Sequence, residues 1–354
     1  MKVICFVLPE ASNHPIGGYK ISFEYANRLV EAGYRVKILF LNENGLKKYP
    51  VPKFVKHTFE NFRTKREPRW FNLNPNIEKI SSTQKNYRKL IEDVDIAIAT
   101  AVTTAYPIKK IFPHSKKMYL IQDFEDWNVS PKFVYKTYGL GYTNIVVSRW
   151  LKNIVDKYSK SPSIYIQNPI NTNKYKVINS IENRDKYSIG MLYHESPIKG
   201  CKYTIQAIKK VKEKYPSLNL LMFGAYNPPT NLSSWVTYYK NASSDQTVKI
   251  YNSISIFVSG SVKEGFGLTG LESMACGSAL VSTDYRGVQE YAVDEKNALL
   301  SPIKDSNGLA NNIIRLIEDD NLRKNIAYNG EKTAQEFSWK KAYKKFENAI
   351  LNLD

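Results

Sequence analysis

Short apolar runs alternate with helical stretches through both halves of this chain, and that alternation constrains the fold more than any other feature. Val3–Leu8 reads as a strand, and a loop carrying Pro15, Gly17 and Gly18 follows. Phe23, Ala26, Asn27 and Val30 then recur at helical spacing until Gly33 stops the helix. Residues 36–41 are the next strand, so the opening segment is a βαβ unit, which calls for a parallel sheet with right-handed crossovers. Further strands are expected at 96–100, 118–122 and 145–148, whereas 42–90 lacks periodicity and reads as long loops plus a helix. The second half repeats the style. Strands are expected at 188–192, 218–223, 255–259, 279–282 and 299–301, with helices at 202–214, 309–318, 322–337 and 339–351.

The break between the halves falls where Gln167, Asn168, Pro169, Asn171 and Asn173 give a turn-like composition without periodicity. With 354 residues the chain is long enough for two domains. The expected division is 1–170, 171–336 and a closing helix, 337–354, that packs across the domain junction. Doubly wound α/β sheets take ligands at the carboxyl ends of their strands, so the active site is expected in a central cleft that the two domains face.

Cys5, Cys201 and Cys276 are far apart and fit no metal-ligand spacing, so they read as core residues of a protein in a reducing compartment. The segment Met1 to Pro9 is too short in its apolar run for a signal peptide and reads as a buried strand. No stretch approaches the ~18 uninterrupted apolar residues of a membrane span. The expected location is cytoplasmic, peripheral at the inner face of the cell membrane.

Charge is uneven. Of the net +18, residues 1–170 carry 27 Lys and Arg against 14 Asp and Glu. The densest run, from Lys47 to Lys89, has 12 basic against 3 acidic residues, with Trp70 and Phe71 in its middle. Cations beside exposed aromatics suit an anionic membrane surface, an acidic substrate or nucleic acid. A plain lysine-rich surface explains the count equally well. No nucleic-acid motif accompanies the charge, and no nucleic-acid partner is expected.

The most informative motif is the string Glu264, Gly265, Phe266, Gly267, Leu268, Thr269, Gly270, Leu271, Glu272. It follows an apolar strand and runs into a helix. The glycines permit close backbone approach, amides at a helix start face anions, and carboxylates accept hydrogen bonds from sugar and ribose hydroxyls. From these residues alone, a plain strand–turn–helix with a capping acid remains a second reading.

The string, continued through Ser273 to Val281 and then Gly287, Glu290, Asn297, Pro302 and Trp339, resembles the E-x7-E region of retaining glycosyltransferases of family 4. The resemblance covers about residues 187–350 well and reaches the first half only through Gly17 and Gly18. It implies a GT-B fold of two Rossmann-like domains, no divalent metal, and a UDP- or dTDP-linked sugar donor. By the same resemblance Glu264 holds donor-sugar hydroxyls and Glu272 the ribose. The amides of Phe266, Gly267, Leu268 and Thr269 approach the diphosphate, Gly265 is counted with them as donor-binding, and Gly17 and Gly18 form the glycine loop closing over the donor. Members of that family carry an Arg and a Lys five positions apart on the first loop of the second domain. Here Lys199 matches the Lys, and His194 stands where the Arg would be, a weaker electrostatic partner.

The string Gln122, Asp123, Phe124, Glu125 is similar to one in bacterial rhamnosyltransferases of cell-surface polysaccharide synthesis. It implies an acceptor site at Gln122, Asp123 and Glu125, with His14 nearby and Asp123 counted with Glu264 and Lys199 as catalytic. The same acids also read as a helix cap or as partners of nearby cations. The implied activity is transfer of a sugar, with rhamnose suggested, to a lipid-linked or cell-surface glycan with retention. Three alternatives stay open: a silent accessory subunit of the same fold, a sugar-nucleotide epimerase and a nucleic-acid-binding protein.

Overall fold

A computed structural model describes residues 1–42 and 52–353. Lys47 and Lys48 of the basic run lie outside them. The chain divides into two compact units, one of Met1–Ile166 with Tyr343–Asp354 and one of Gln167–Ala342.

The first unit is built on seven strands: β1 (Val3–Leu8), β2 (Arg35–Phe40), β3 (Glu78–Ser81), β4 (Ile96–Ala99), β5 (Lys116–Ile121), β6 (Thr143–Val146) and β7 (Ile164–Tyr165), in the order β3-β2-β1-β4-β5-β6-β7. Every pairing is parallel. Parallel sheets are covered on both faces, which is why β1 reads as an unbroken apolar run and is buried along its whole length. The second unit repeats the plan with β8 (Ser188–Leu192), β9 (Asn219–Gly224), β10 (Val236–Lys240), β11 (Ile256–Ser259), β12 (Ala279–Thr283) and β13 (Leu299–Ser301), ordered β10-β9-β8-β11-β12-β13 and again all parallel. Its core joins Ile189, Met191, Val258 and Val281 of the sheet to Ile208 and Val211 of the helix Cys201–Lys214 and Ile313 and Leu316 of the helix Ser306–Glu318.

Each sheet reverses its winding once, beside β1 and β4 in the first unit and beside β8 and β11 in the second. Ligands of doubly wound sheets sit outside the carboxyl ends of the strands at that reversal. The loops after β1, β4 and β5, and those after β8 and β11, are therefore where chemistry belongs.

The structure corrects two local expectations. Gly17 and Gly18 do not form a loop but open the helix Gly17–Glu31, with Ile16 in extended geometry before it. Neither has a positive φ, so they serve by lacking a side chain and not by left-handed freedom. Residues 42–90 hold the strand β3 as well as helices, the longest being Lys53–Arg66. The three cysteines are free and buried. The last helix, Trp339–Leu351, buries Trp339, Ala342, Phe346, Ala349 and Ile350, and Phe346 stacks on Phe6 and Tyr25 of the first unit at 6.3 and 4.0 Å. Its lysines Lys340, Lys341, Lys344 and Lys345 stay exposed. No helix among the described residues is long and apolar enough to cross a membrane.

Candidate functional site

In the second unit, β8 ends at Leu192 and its loop runs to a single 3-10 turn, Pro197–Lys199, which ends at Gly200 in left-handed geometry, φ 57°. A methyl group on Gly200 would lie 1.8 Å from the Gly260 carbonyl oxygen. Only glycine lets this loop lie against the one after β11. The two are then laced together, since Val262 N–H donates to the Ile198 carbonyl at 2.8 Å. This lacing delivers Lys199 to Glu264: Nζ stands 2.8 Å from Oε2, with both side chains mostly shielded from water. The Ser261 hydroxyl donates to the other carboxylate oxygen. A narrow cleft opens here, lined by Leu192, Lys199, Thr204, Ser261, Glu264 and Thr269.

The rest of the glycine-rich string is held from below. Gly267 has φ 91° and opens the helix Leu268–Ala275. Its carbonyl accepts from Tyr291 Oη at 2.7 Å, and the Tyr285 hydroxyl lies 3.2 Å from that of Tyr291. A side chain on Gly267 would collide with Tyr285 Oη at 2.0 Å, and one on Gly270 with Tyr291 Oη at 2.5 Å. The Phe266 ring is buried against Tyr291 and Phe337, at 5.6 and 6.0 Å, so it anchors the loop. Glu272 is only 6% exposed and lies beside the Tyr251 hydroxyl, whose proton is held chiefly by burial and also by the Glu272 charge. Thus Glu264, Lys199 and Thr269 share the cleft, Leu268 stands just before Thr269 as the first residue of the helix, and Glu272 sits a turn further along it.

His194 is held in one protonation state. Its Nδ1 accepts from Ser196 N–H at 2.9 Å, which leaves the proton on Nε2, and Nε2 faces Tyr226 Oη at 3.3 Å. Burial, with the nearby Lys199 ammonium, pushes its pKa below the ordinary 6.5. The imidazole is neutral at pH 7 and supplies a polar edge, not a second cation.

In the first unit the loop after β5 meets the start of the helix Gly17–Glu31. Gln122 Nε2 donates to the Gly18 carbonyl at 2.9 Å, and a side chain on Gly18 would lie 3.2 Å from that nitrogen. Glu125 Oε2 accepts from Val102 N–H at 2.6 Å, at the start of the helix Val102–Ile111. It therefore caps a preceding helix rather than the next one, and burial raises its pKa to about 7. Asp123 Oδ1 accepts from Phe124 N–H at 2.7 Å. His14 is exposed on the β1 loop, close in sequence to Ser12, whose carbonyl accepts from Trp70 Nε1 at 3.0 Å. Trp70 and Phe71 are not the exposed aromatics that the basic run suggests. They pack on Phe23 at 5.8 and 5.4 Å, because apolar rings so near the helix Gly17–Glu31 lose more water contact there than at the surface.

Tyr226, Tyr285 and Tyr291 had no signal in the sequence, since each comes from an element remote from the motif it supports, and Ser261, three residues before Glu264, belongs to no pattern that marks it. Among the described residues, no three His, Cys, Asp or Glu side chains converge in a way that could hold a metal ion.

Two parallel sheets of this strand order, each with helices on both faces, define the GT-B glycosyltransferase fold. Residues 176–333, the body of the second unit, match the family of glycosyl transferases group 1. An uncharacterized glycosyltransferase of Methanocaldococcus jannaschii is 30% identical over 202 residues, 56% of this chain and 56% of that protein. The N,N'-diacetylbacillosaminyl-diphospho-undecaprenol alpha-1,3-N-acetylgalactosaminyltransferase of Campylobacter jejuni is 36% identical over 106 residues, 30% of this chain and 28% of the relative. The matches thus span about half the length of such relatives or less. Among solved structures, HepE of Anabaena in complex with UDP-glucose has a TM-score of 0.77 at 16% identity, over 99% of this chain and 100% of that one. Sucrose-phosphate synthase from Thermosynechococcus elongatus has 0.75 at 17%, over 100% and 99%. At these identities the likeness is one of fold.

Proposed function

We propose that this chain is a glycosyltransferase that moves a sugar from a nucleotide-diphosphate donor to a lipid-linked or cell-surface glycan. One observation carries the reading: Lys199 and Glu264, from two separate loops, pair at the carboxyl edge where the second sheet reverses. Such a pair offers a cation for the diphosphate and a carboxylate for sugar hydroxyls. In the proposed reaction the bond from the anomeric carbon to the diphosphate breaks, and negative charge grows on the leaving phosphate. Lys199 and the amides of the 265–269 segment stabilise that charge, the term that usually dominates catalysis. Glu264 orients the donor sugar, and Glu272 takes the ribose. No divalent metal takes part. Gln122, Asp123 and Glu125 belong to the acceptor side, with Gly17 and Gly18 at the neighbouring helix start and His14 on the loop before it. Glu125, with its pKa near 7, can hold or release a proton at the pH of turnover.

The UDP-glucose bound by HepE and the diphospho-undecaprenol in the name of the Campylobacter relative support a UDP-linked hexose and a lipid-linked acceptor. The 122–125 string favours dTDP-rhamnose instead, and the E-x7-E pattern favours retention. The proposed place of work is the cytoplasmic face of a membrane, which the basic first half suits. Neutral His194 supports a second reading, a catalytically silent subunit that binds the nucleotide without turnover. Incubating the purified protein with UDP- and dTDP-sugars and a lipid-linked acceptor separates the two. Released nucleotide diphosphate with glycosylated acceptor supports the transferase, and binding without release supports the silent subunit.

A further inference from the structure

The helix Lys53–Arg66 is built inside out. Glu60 and Thr64 are buried, and Asn61 turns inward to accept from Thr83 Oγ1 at 2.6 Å. Its apolar residues point to water. Phe54 is 73% exposed, Phe59 58% and Phe62 60%, with Val55 exposed as well. Val55, Phe59 and Phe62 follow i, i+4, i+7 spacing, so they form one continuous outward stripe. Polar side chains anchor this helix and, among the described residues, an aromatic face is left bare, an arrangement that water disfavours and that marks an interaction surface.

The charges around the stripe choose the partner. Lys53, Lys65, Arg66 and Arg69 are exposed, and the Arg66 guanidinium lies 5.9 Å from the Phe62 ring centre. The two acids of this segment, Glu60 and Glu67, are withdrawn, at 3% and 1% exposure, so the outward face is cationic throughout. A second copy of this chain meeting the stripe about a two-fold axis would set like charges against each other. A nucleic acid would answer the charge but leave the valine and phenylalanines without apolar contact. A bilayer with anionic headgroups answers both, because rings enter the acyl boundary while lysine and arginine remain at the phosphates.

We infer that the helix Lys53–Arg66 is an interfacial membrane anchor: Phe54, Val55, Phe59 and Phe62 insert and the flanking cations bind anionic lipid. This deepens the proposal of a membrane-linked acceptor and rests on it for its purpose, though not for its physics.

The test is co-sedimentation of the purified full chain with vesicles of phosphatidylcholine alone or mixed with phosphatidylglycerol. The wild type should sediment with the mixed vesicles only. The double variant Phe59→Ser with Phe62→Ser, unchanged in charge and altered only at exposed positions, should bind at least about tenfold more weakly. Lys53→Gln with Lys65→Gln should weaken binding and reduce its salt dependence. Circular dichroism and nucleotide-induced thermal shift, both expected unchanged in the serine variant, show that fold and donor site persist. Vesicle binding equal in wild type and serine variant overturns the inference, as does no binding by the wild type. A concentration-dependent dimer abolished by the serine variant overturns it in favour of self-association. A protein that binds vesicles as expected but no nucleotide keeps the anchor and sinks the transferase.

Discussion

Lys199 Nζ and Glu264 Oε2 stand 2.8 Å apart, and this pair ties the loop after β8 to the loop after β11. The Ser261 hydroxyl fixes the other carboxylate oxygen, so the lysine meets a carboxylate that cannot swing freely. Lys199→Ala should cut transferase turnover by about 10²–10³-fold, the scale for losing one preorganised charge-stabilising group. Stability should fall by only about 1 kcal/mol, since the pair is partly solvated. Lys199→Arg should restore part of the rate. Steady-state kinetics beside a thermal melt separates the two effects, and a melt that collapses with the rate would mean a structural role alone.

The glycines at the loop contacts should be intolerant in different ways. Gly200→Ala places a methyl 1.8 Å from a backbone carbonyl, at a φ of 57°, so neither strain nor clash has a soft partner. A loss of about 3 kcal/mol or more in denaturant unfolding is expected. Gly267→Ala meets a side chain instead, the Tyr285 hydroxyl at 2.0 Å. Tyr285→Phe in the same chain should recover part of that loss, and a double-mutant cycle measures the coupling. Strictly additive changes would show that Tyr285 is not what excludes a side chain there.

Glu125 makes stability depend on pH. Burial raises its pKa from 4.5 to about 7, so the folded state holds the proton more tightly than the unfolded one. Its stabilising contribution is complete below pH 4.5 and fades as pH rises to about 7. Glu125→Gln removes that dependence and should gain on the wild type by about 1–2 kcal/mol between pH 4 and 8. Urea melts across that range test it, and parallel curves for the two proteins would contradict it.

His194 runs the other way. Its pKa is lowered from 6.5, so the unfolded chain takes up the proton first and stability falls as pH drops below 6.5. Nitrogen NMR of labelled protein should find the proton on Nε2 at pH 7, as the Ser196 contact requires. A charged imidazole at that pH would reverse this assignment and restore His194 as a cation for the donor.

Much of the fold was legible because buried parallel strands read as plain apolar runs, as β1, β8 and β11 do. β3 and β10 escaped, since Glu78 and Lys79 interrupt the first and the second is only half-buried at the sheet edge. In the helix Lys53–Arg66 the spacing of Val55, Phe59 and Phe62 is thin among polar and basic residues, and because those apolar residues face outward the spacing does not mark a core face as it usually does. At the site, Glu264 and Lys199 were readable because each lies in a compact local motif. Tyr285 and Tyr291 were not, because another strand's loop brings them near, and Ser261, though on the loop of Glu264, is a lone serine with no pattern to read. Glycine content alone misplaced Gly17 and Gly18, which the chain uses inside a helix.

The most direct test of the donor site is calorimetric titration of the purified protein with UDP, dTDP and their sugar conjugates, beside Lys199→Ala and Glu264→Gln. One nucleotide family should bind the wild type, and Lys199→Ala should weaken the diphosphate and its sugar conjugate alike. Glu264→Gln should weaken the sugar conjugate more than the bare diphosphate. No nucleotide binding by the wild type, or binding that neither substitution changes, would contradict the assignment of the Lys199–Glu264 cleft to the donor.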